Sequence, residues 1–279
     1  MRSSFPIFTA TAVLIGVLAI AAYLLLAPDT PPVTQLPEPE VEPVDTPLDT
    51  APDPGEVATI ETLTGTGSDA DAEPAPEPPQ PDFEVIAPPE TLDDSDTRVK
   101  EALVDLAPGL TKWLVPEEQV RKWVLAVDML ADGRLPKRYR PMIYPMDKFK
   151  AKEYGDISVM EDANYERLSP LLDTVTSINV DLLAAYYRSW RPLLEQAYRQ
   201  QGEPGTFEER LVQAIDRFLK VQPLKEKGVL VRPHVFYEYQ DEALEEASDI
   251  EKLVWRMGEE NANRLKDYAR AFKEKITRQ

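Results

Sequence analysis

The chain has 279 residues and a net charge of −19, with 27 prolines, one histidine and no cysteine. The lack of cysteine excludes disulfides, thiolate nucleophiles, iron–sulfur clusters, cysteine zinc sites and a lipoprotein lipobox. The lone His234 removes most catalytic and transition-metal arrangements, which commonly need two or more imidazoles, so no metal, no cofactor and no catalytic residue is expected.

The charge is unevenly spread. Between Arg2 and Arg98 there is no lysine or arginine, and Asp29 to Asp96 holds 19 acids. From Thr97 to Gln279, 30 Lys+Arg face 31 Asp+Glu. The acidity therefore belongs to a tether, and the folded part is close to neutral.

Residues 1–6 are expected to be cytoplasmic and residues 7–26 a transmembrane anchor. Ile7 to Leu26 is almost wholly apolar, and twenty helical residues span about 30 Å, the thickness of a bilayer core. Arg2 precedes the run and the next base is Arg98, so the positive-inside rule places the N-terminus in the cytoplasm and the rest outside. A cleaved signal peptide with Ala19-Ile20-Ala21 as its site is the competing expectation. The apolar run continues past that site through Tyr23-Leu24-Leu25-Leu26 and favours an uncleaved anchor in the inner membrane.

Residues 27–93 are expected to be a disordered, acidic, proline-rich linker. Sixteen prolines lie between Pro28 and Pro89, and such a segment buries too little apolar surface to offset the entropy of ordering it. Proline and like charges both extend the chain, so the linker holds the domain off the membrane or lets it search a wide volume.

Residues 94–279 are expected to form one extracytoplasmic domain, mainly α with a small β-hairpin. After Pro116, taken as a first-turn proline, Val120, Trp123, Val124, Val127, Leu130 and Ala131 share one helical face that Gly133 ends. Phe149–Glu153 and Ile157–Met160 read as a hairpin around Tyr154-Gly155-Asp156. A long helix from Val180 to Gln200 starts behind Asn179 and stops at Gly202, with Pro192 inside it as an expected kink. Thr206-Phe-Glu-Glu209 is a capping box, and the helix behind it presents Phe207, Leu211, Ile215, Phe218 and Leu219. A second short strand is expected over Val229–Arg232. The Arg256-Met-Gly258 turn ends one helix before another starts at Glu259. That last helix spaces Ala262, Leu265, Ala269, Phe272 and Ile276 for packing on its own domain, with a seam between copies as the alternative.

VDMLADGRLPKR (127–138), the hairpin followed by DANYERLSP (162–170), LVRPHVFYEYQDEALE (230–245) and RMGEENANRLK (256–266) together resemble the bacterial domain of unknown function 3014 family. The resemblance covers roughly Thr91 to Phe272 and extends to the apolar N-terminus followed by a proline-rich stretch. It implies one domain and an envelope location, and transfers no catalytic or ligand-binding role to any residue.

The candidate binding residues are a basic loop: Arg134, Lys137, Arg138, Arg140, Lys148, Lys150 and Lys152, opposed between Arg134 and Lys152 only by Asp147. Interleaved with tyrosines and prolines, the loop could hold an anionic polymer, a phosphate-bearing lipid or the acidic tether. A solvated loop complementing a helix C-terminus is the plainer alternative. Nucleic acid is not expected beyond an export signal. The acidic run Glu238, Asp241, Glu242, Glu245, Glu246 could supply a carboxylate pair for glycoside hydrolysis, but reads as the acidic start of a helix. His234 beside Arg232 and Tyr237 has no partner in sequence for acid–base work, and the four tryptophans read as core. The expected function is thus a membrane-anchored periplasmic interaction or scaffold module for an envelope protein or anionic polymer, with an envelope hydrolase of cell-wall glycan as the alternative.

Overall fold

A computed structural model describes residues 83–278. Within them the order is α1 (Ser95–Leu106), a 3₁₀ turn (Pro108–Trp113), α2 (Gln119–Ala131), β1 (Ala151–Tyr154), β2 (Ile157–Met160), a second 3₁₀ turn (Asp162–Leu168), α3 (Ser169–Thr176), α4 (Val180–Gln200), α5 (Phe207–Lys220), β3 (Val229–Val231), β4 (Glu238–Tyr239), α6 (Glu242–Glu245), α7 (Asp249–Met257) and α8 (Glu259–Thr277). The domain is mainly helical with one small antiparallel sheet, ordered β1-β2-β3-β4. No helix among the described residues is long and apolar enough to cross a membrane. The expected anchor at residues 7–26 and the linker up to residue 82 lie outside the described residues.

Two helices surround the long α4 with apolar stripes of matching period. The stripe of α4 buries Leu183, Tyr186, Tyr187, Trp190, Leu194 and Ala197, and α8 packs on it with Leu265, Ala269, Phe272 and Ile276. The α2 stripe lies against α5 and α4. Because Ala262, Leu265, Ala269, Phe272 and Ile276 of α8 are buried in the chain's own core, a seam between copies would need the helix's other face. Asn179 caps α4 by accepting from the Asp181 and Leu182 amides at 2.8 and 3.0 Å. Thr206 and Glu209 form the capping box of α5.

Several boundaries differ from the local sequence signals, each for a reason found elsewhere in the chain. Packing reaches back beyond Asp94: Leu92 is buried, and Ile86 accepts the Trp190 indole hydrogen bond at 3.0 Å. Pro116 does not open α2. The helix starts at Gln119 because the Asp96 carboxylate on α1 accepts both the Glu118 and Gln119 amides at 2.8 Å, holding Glu118 in the left-handed region at φ 54°. In the hairpin, Tyr154 pairs with Ile157, which leaves a two-residue turn whose first residue, Gly155, takes φ 67°. β3 ends at Val231 rather than Arg232, and β4 joins it as a strand that periodicity missed. Trp123 and Trp190 are buried, whereas Trp113 and Trp255 are only partly so.

Polar clamps register the helices. Arg210 on α5 meets Asp128 at 2.6 Å and Asp132 at 2.9 Å, and donates to the Asp128 carbonyl at 2.8 Å. Asp128 is mostly withdrawn from solvent, with 12% of its side chain exposed. Replacing Arg210 by Met leaves that carboxylate without its partner, and chemical denaturation should record a loss of about 2–3 kcal/mol. The Arg210 hydrogen bond, opposed by burial and aided by Arg134, holds the Asp132 carboxyl below its ordinary pKa. A carboxyl depressed on folding contributes stability above its unfolded pKa of about 4 and loses it as pH falls through the folded value. The gap between wild type and Arg210→Met should therefore be full above about pH 5 and narrow below about pH 4.

Candidate functional site: a cationic and aromatic cleft

The sheet is too small to be covered by the helical core, and its inner face instead forms one wall of a cleft of about 900 Å³. Ser158 pairs with Leu230, and Leu230 with Tyr239. Met160 lies two residues beyond Ser158 and so points to the same side. Met160, Leu230 and Tyr239 are the buried members of a hydrophobic cluster separate from the main core. Phe149, Tyr165, Tyr237, Leu244 and Trp255 complete it and stay partly exposed.

Helix α7 supplies the facing wall. Its start is fixed by the Ser248–Glu251 capping box, and its Trp255 donates the indole N–H to Gln222 at 3.0 Å. The Trp255 ring meets Tyr239 edge-to-face, with centroids 6.0 Å apart. Two glycines let the backbone approach these rings. A methyl group on Gly228 would lie 2.6 Å from the Tyr239 ring, and one on Gly258 2.8 Å from the Tyr165 ring. Gly258 also needs φ 79° to separate α7 from α8.

Charge is concentrated here. The lining carries eight Lys or Arg against four Asp or Glu, within a segment that is nearly neutral overall. Some of these cations are already engaged: Lys252 meets Glu245 at 2.7 Å and Lys227 meets Asp162 at 2.6 Å. Arg232 lies over the Tyr237 ring at 5.4 Å, and Arg167 over Phe149 at 5.8 Å. Among the described residues, no carboxylate reaches ion-pair distance of Lys137, Lys148, Lys225 or Arg232. These four are the cations with charge to offer.

Burial favours protonation of the Glu245 carboxyl, but the Lys252 hydrogen bond and the Tyr239 amide, which it accepts at 2.8 Å, outweigh burial and hold its pKa low. Burial pushes the Tyr239 and Tyr165 phenols up, so both remain neutral hydrogen-bonding groups at neutral pH. No cluster of three metal-ligating side chains occurs among the described residues.

Of the seven basic-loop residues, Lys137 and Lys148 reach the cleft. Arg134 pairs with Asp132 at 3.0 Å. Arg138 is exposed, and Arg140 donates to the Lys137 carbonyl, its pKa lowered by burial. Lys150 is held through its backbone by Asn164, and Lys152 lies over Tyr154 on the outer strand β1. The acidic run divides: Asp241 caps α6, Glu238 sits in β4 and Glu245 enters the cleft. His234 is exposed on the β3–β4 loop. Lys225, Arg232, Tyr165 and Trp255 escaped notice as one site because they come from four separated segments.

Residues 119–273 match the family described as "Protein of unknown function (DUF3014)". No curated protein and no solved structure matches the chain. The four sequence segments quoted above for the resemblance each contribute to the cleft, through Lys137, Tyr165, Tyr237 and Gly258 among others.

The Gly228 contact gives a direct check on the packing of this wall. Gly228→Ala should displace the Tyr239 ring, cost about 1–3 kcal/mol in denaturant unfolding and alter the near-ultraviolet circular dichroism to which the Trp255–Tyr239 pair contributes.

Proposed function

We propose, for a chain that belongs to the DUF3014 family, a non-catalytic role: its domain is a binding module that holds an anionic partner in the cationic and aromatic cleft. One observation carries this reading. A near-neutral domain gathers eight Lys or Arg around a partly exposed aromatic cluster, and four of those cations have no carboxylate partner among the described residues. Local positive potential of this kind selects anionic partners and speeds their capture.

The module works outside the cytoplasm, on a long acidic tether anchored in the inner membrane by residues 7–26. The uncharged run between Arg2 and Asp29 and the absence of bases up to Arg98 support this placement. The tether's own acids disfavour anionic partners, so the cleft is the place where negative charge is attracted. The partner is an envelope protein or an anionic envelope polymer. Glycan hydrolysis would call for a carboxylic acid kept protonated near neutrality, whereas Glu245 is ionised and committed to Lys252 and the Tyr239 amide.

Lys148, Lys225 and Arg232 are exposed, so reversing them to Glu leaves the core intact. In-cell crosslinking of the full-length chain should recover a partner that the triple reversal loses, with the melting temperature of the domain shifted by a few degrees at most. Retention of the same crosslinked partner by a folded triple variant would refute the role assigned to the cleft.

A further inference from the structure

Resting on the reading of the cleft as an anion-binding site, we infer that its ligand is an extended acidic polypeptide segment carrying an apolar side chain, which completes the open hydrophobic cluster beneath the sheet. Three features of the cleft distinguish this ligand from a bare polyanion.

The first is the unfinished state of the cluster. The main core is closed around buried side chains, but the cluster of Met160, Leu230 and Tyr239 has five partly exposed neighbours against three buried members. Its open side faces the cleft, and an apolar side chain entering there would remove from water ring surface that the described residues leave exposed.

The second is the β3–β4 loop at the rim. Val235 and Phe236 are 67% and 44% exposed and both line the cleft. Arg232 donates to the Val235 carbonyl at 3.2 Å, bracing the loop from its base. Exposed apolar side chains next to a pocket, ringed by charges, are the pattern of a polypeptide contact with a central anchor and a polar rim.

The third is the sign pattern. Glu238 and Glu259 share the lining with the free cations. A dense polyanion meets repulsion from those walls, whereas a peptide can space its acids to meet Lys137, Lys148, Lys225 and Arg232 and leave neutral residues opposite the glutamates. Such a segment lies extended against an aromatic floor, as proline-containing strands do in aromatic-lined grooves.

The test uses the full-length chain in a neutral detergent and a fluorescent peptide of about 15 residues, with Glu or Asp at alternate positions and one central Phe. We expect saturable, salt-sensitive binding, weakened about tenfold or more by Lys148→Glu with Arg232→Glu, and by changing the peptide's Phe to Ser. Phe236→Ser, on an exposed loop, should weaken binding without lowering thermal stability, which separates a contact effect from misfolding. Binding indifferent to the peptide's Phe would overturn the inference. So would failure of the peptide alongside charge-dependent binding of inorganic polyphosphate or a short-chain phosphatidylglycerol, an outcome that keeps the anionic cleft but changes its ligand. If none of the three probes binds, both the peptide ligand and the anion-binding role fall.

Discussion

The turn at Gly258 is the constraint through which the core and the cleft share one geometry. It takes φ 79° and ψ 162° between two helices with no intervening loop. On one side α8 buries Leu265, Ala269 and Phe272 in the main core; on the other α7 carries Trp255 to the cleft. Asn261, one turn into α8, locks the corner by donating to the Tyr165 carbonyl at 2.8 Å and to the Met257 carbonyl at 3.1 Å. Tyr165 in turn presses its ring on Gly258. Any larger side chain at 258 would face both an unfavourable backbone conformation and that ring. The direction of α7, and hence the width of the cleft, is set by packing that lies in the helical core.

Two hydrophobic clusters with different degrees of closure follow from this arrangement. The helices have enough length and period to bury a stripe each, and they do so around Trp190 and Tyr187 at the centre of the domain. The sheet has strands of two to four residues, too short to cover a face alone. Its outermost strand β4 is protected at its edge, since the Tyr239 amide is taken by Glu245. Against the inner face pack Trp255 of α7, Phe149, Tyr165 of the second 3₁₀ turn and Leu244 of α6, all only partly buried, so its aromatic cluster remains open. Pairing by another strand is thus blocked at β4, while side-chain entry from the cleft is not.

Most of the helical framework could be read from periodicity and caps, because those signals are local. The stripe of α4, the Asn179 cap, the Thr206 capping box and the break at Gly258 are each decided by residues within a turn of one another. The start of α2 was misread because its cap, Asp96, lies on another helix and no neighbouring residue announces it. The cleft was only partly legible for a similar reason. Lys137 and Lys148 fell in the basic loop singled out by composition, but their companions Lys225 and Arg232 look like ordinary solvated charges in sequence. Strand pairing between segments some seventy residues apart, as Val159 with Val229 shows, is what gathers them. Trp255 reads as core with the other tryptophans for the same reason: nothing local reveals that the face it occupies is left partly exposed.

The charge pattern joins these two levels. A domain with balanced charge could scatter its cations over the surface, where each would pair with a nearby acid at little net gain. Much of this one does so: Arg264 with Asp173, Lys275 with Asp181 and Arg270 with Asp267 are exposed pairs on the helices. At the cleft the pattern changes: the rings of Phe149, Tyr165 and Tyr237 hold cations over their faces, and among the described residues three amines and the Arg232 guanidinium have no carboxylate within ion-pair distance. The exposed cations beside a partly exposed aromatic surface offer attraction to a negative group and to apolar surface at one place. Both halves of the proposed ligand, negative and apolar, are argued from these same residues, whereas most of the basic loop lies outside the cleft.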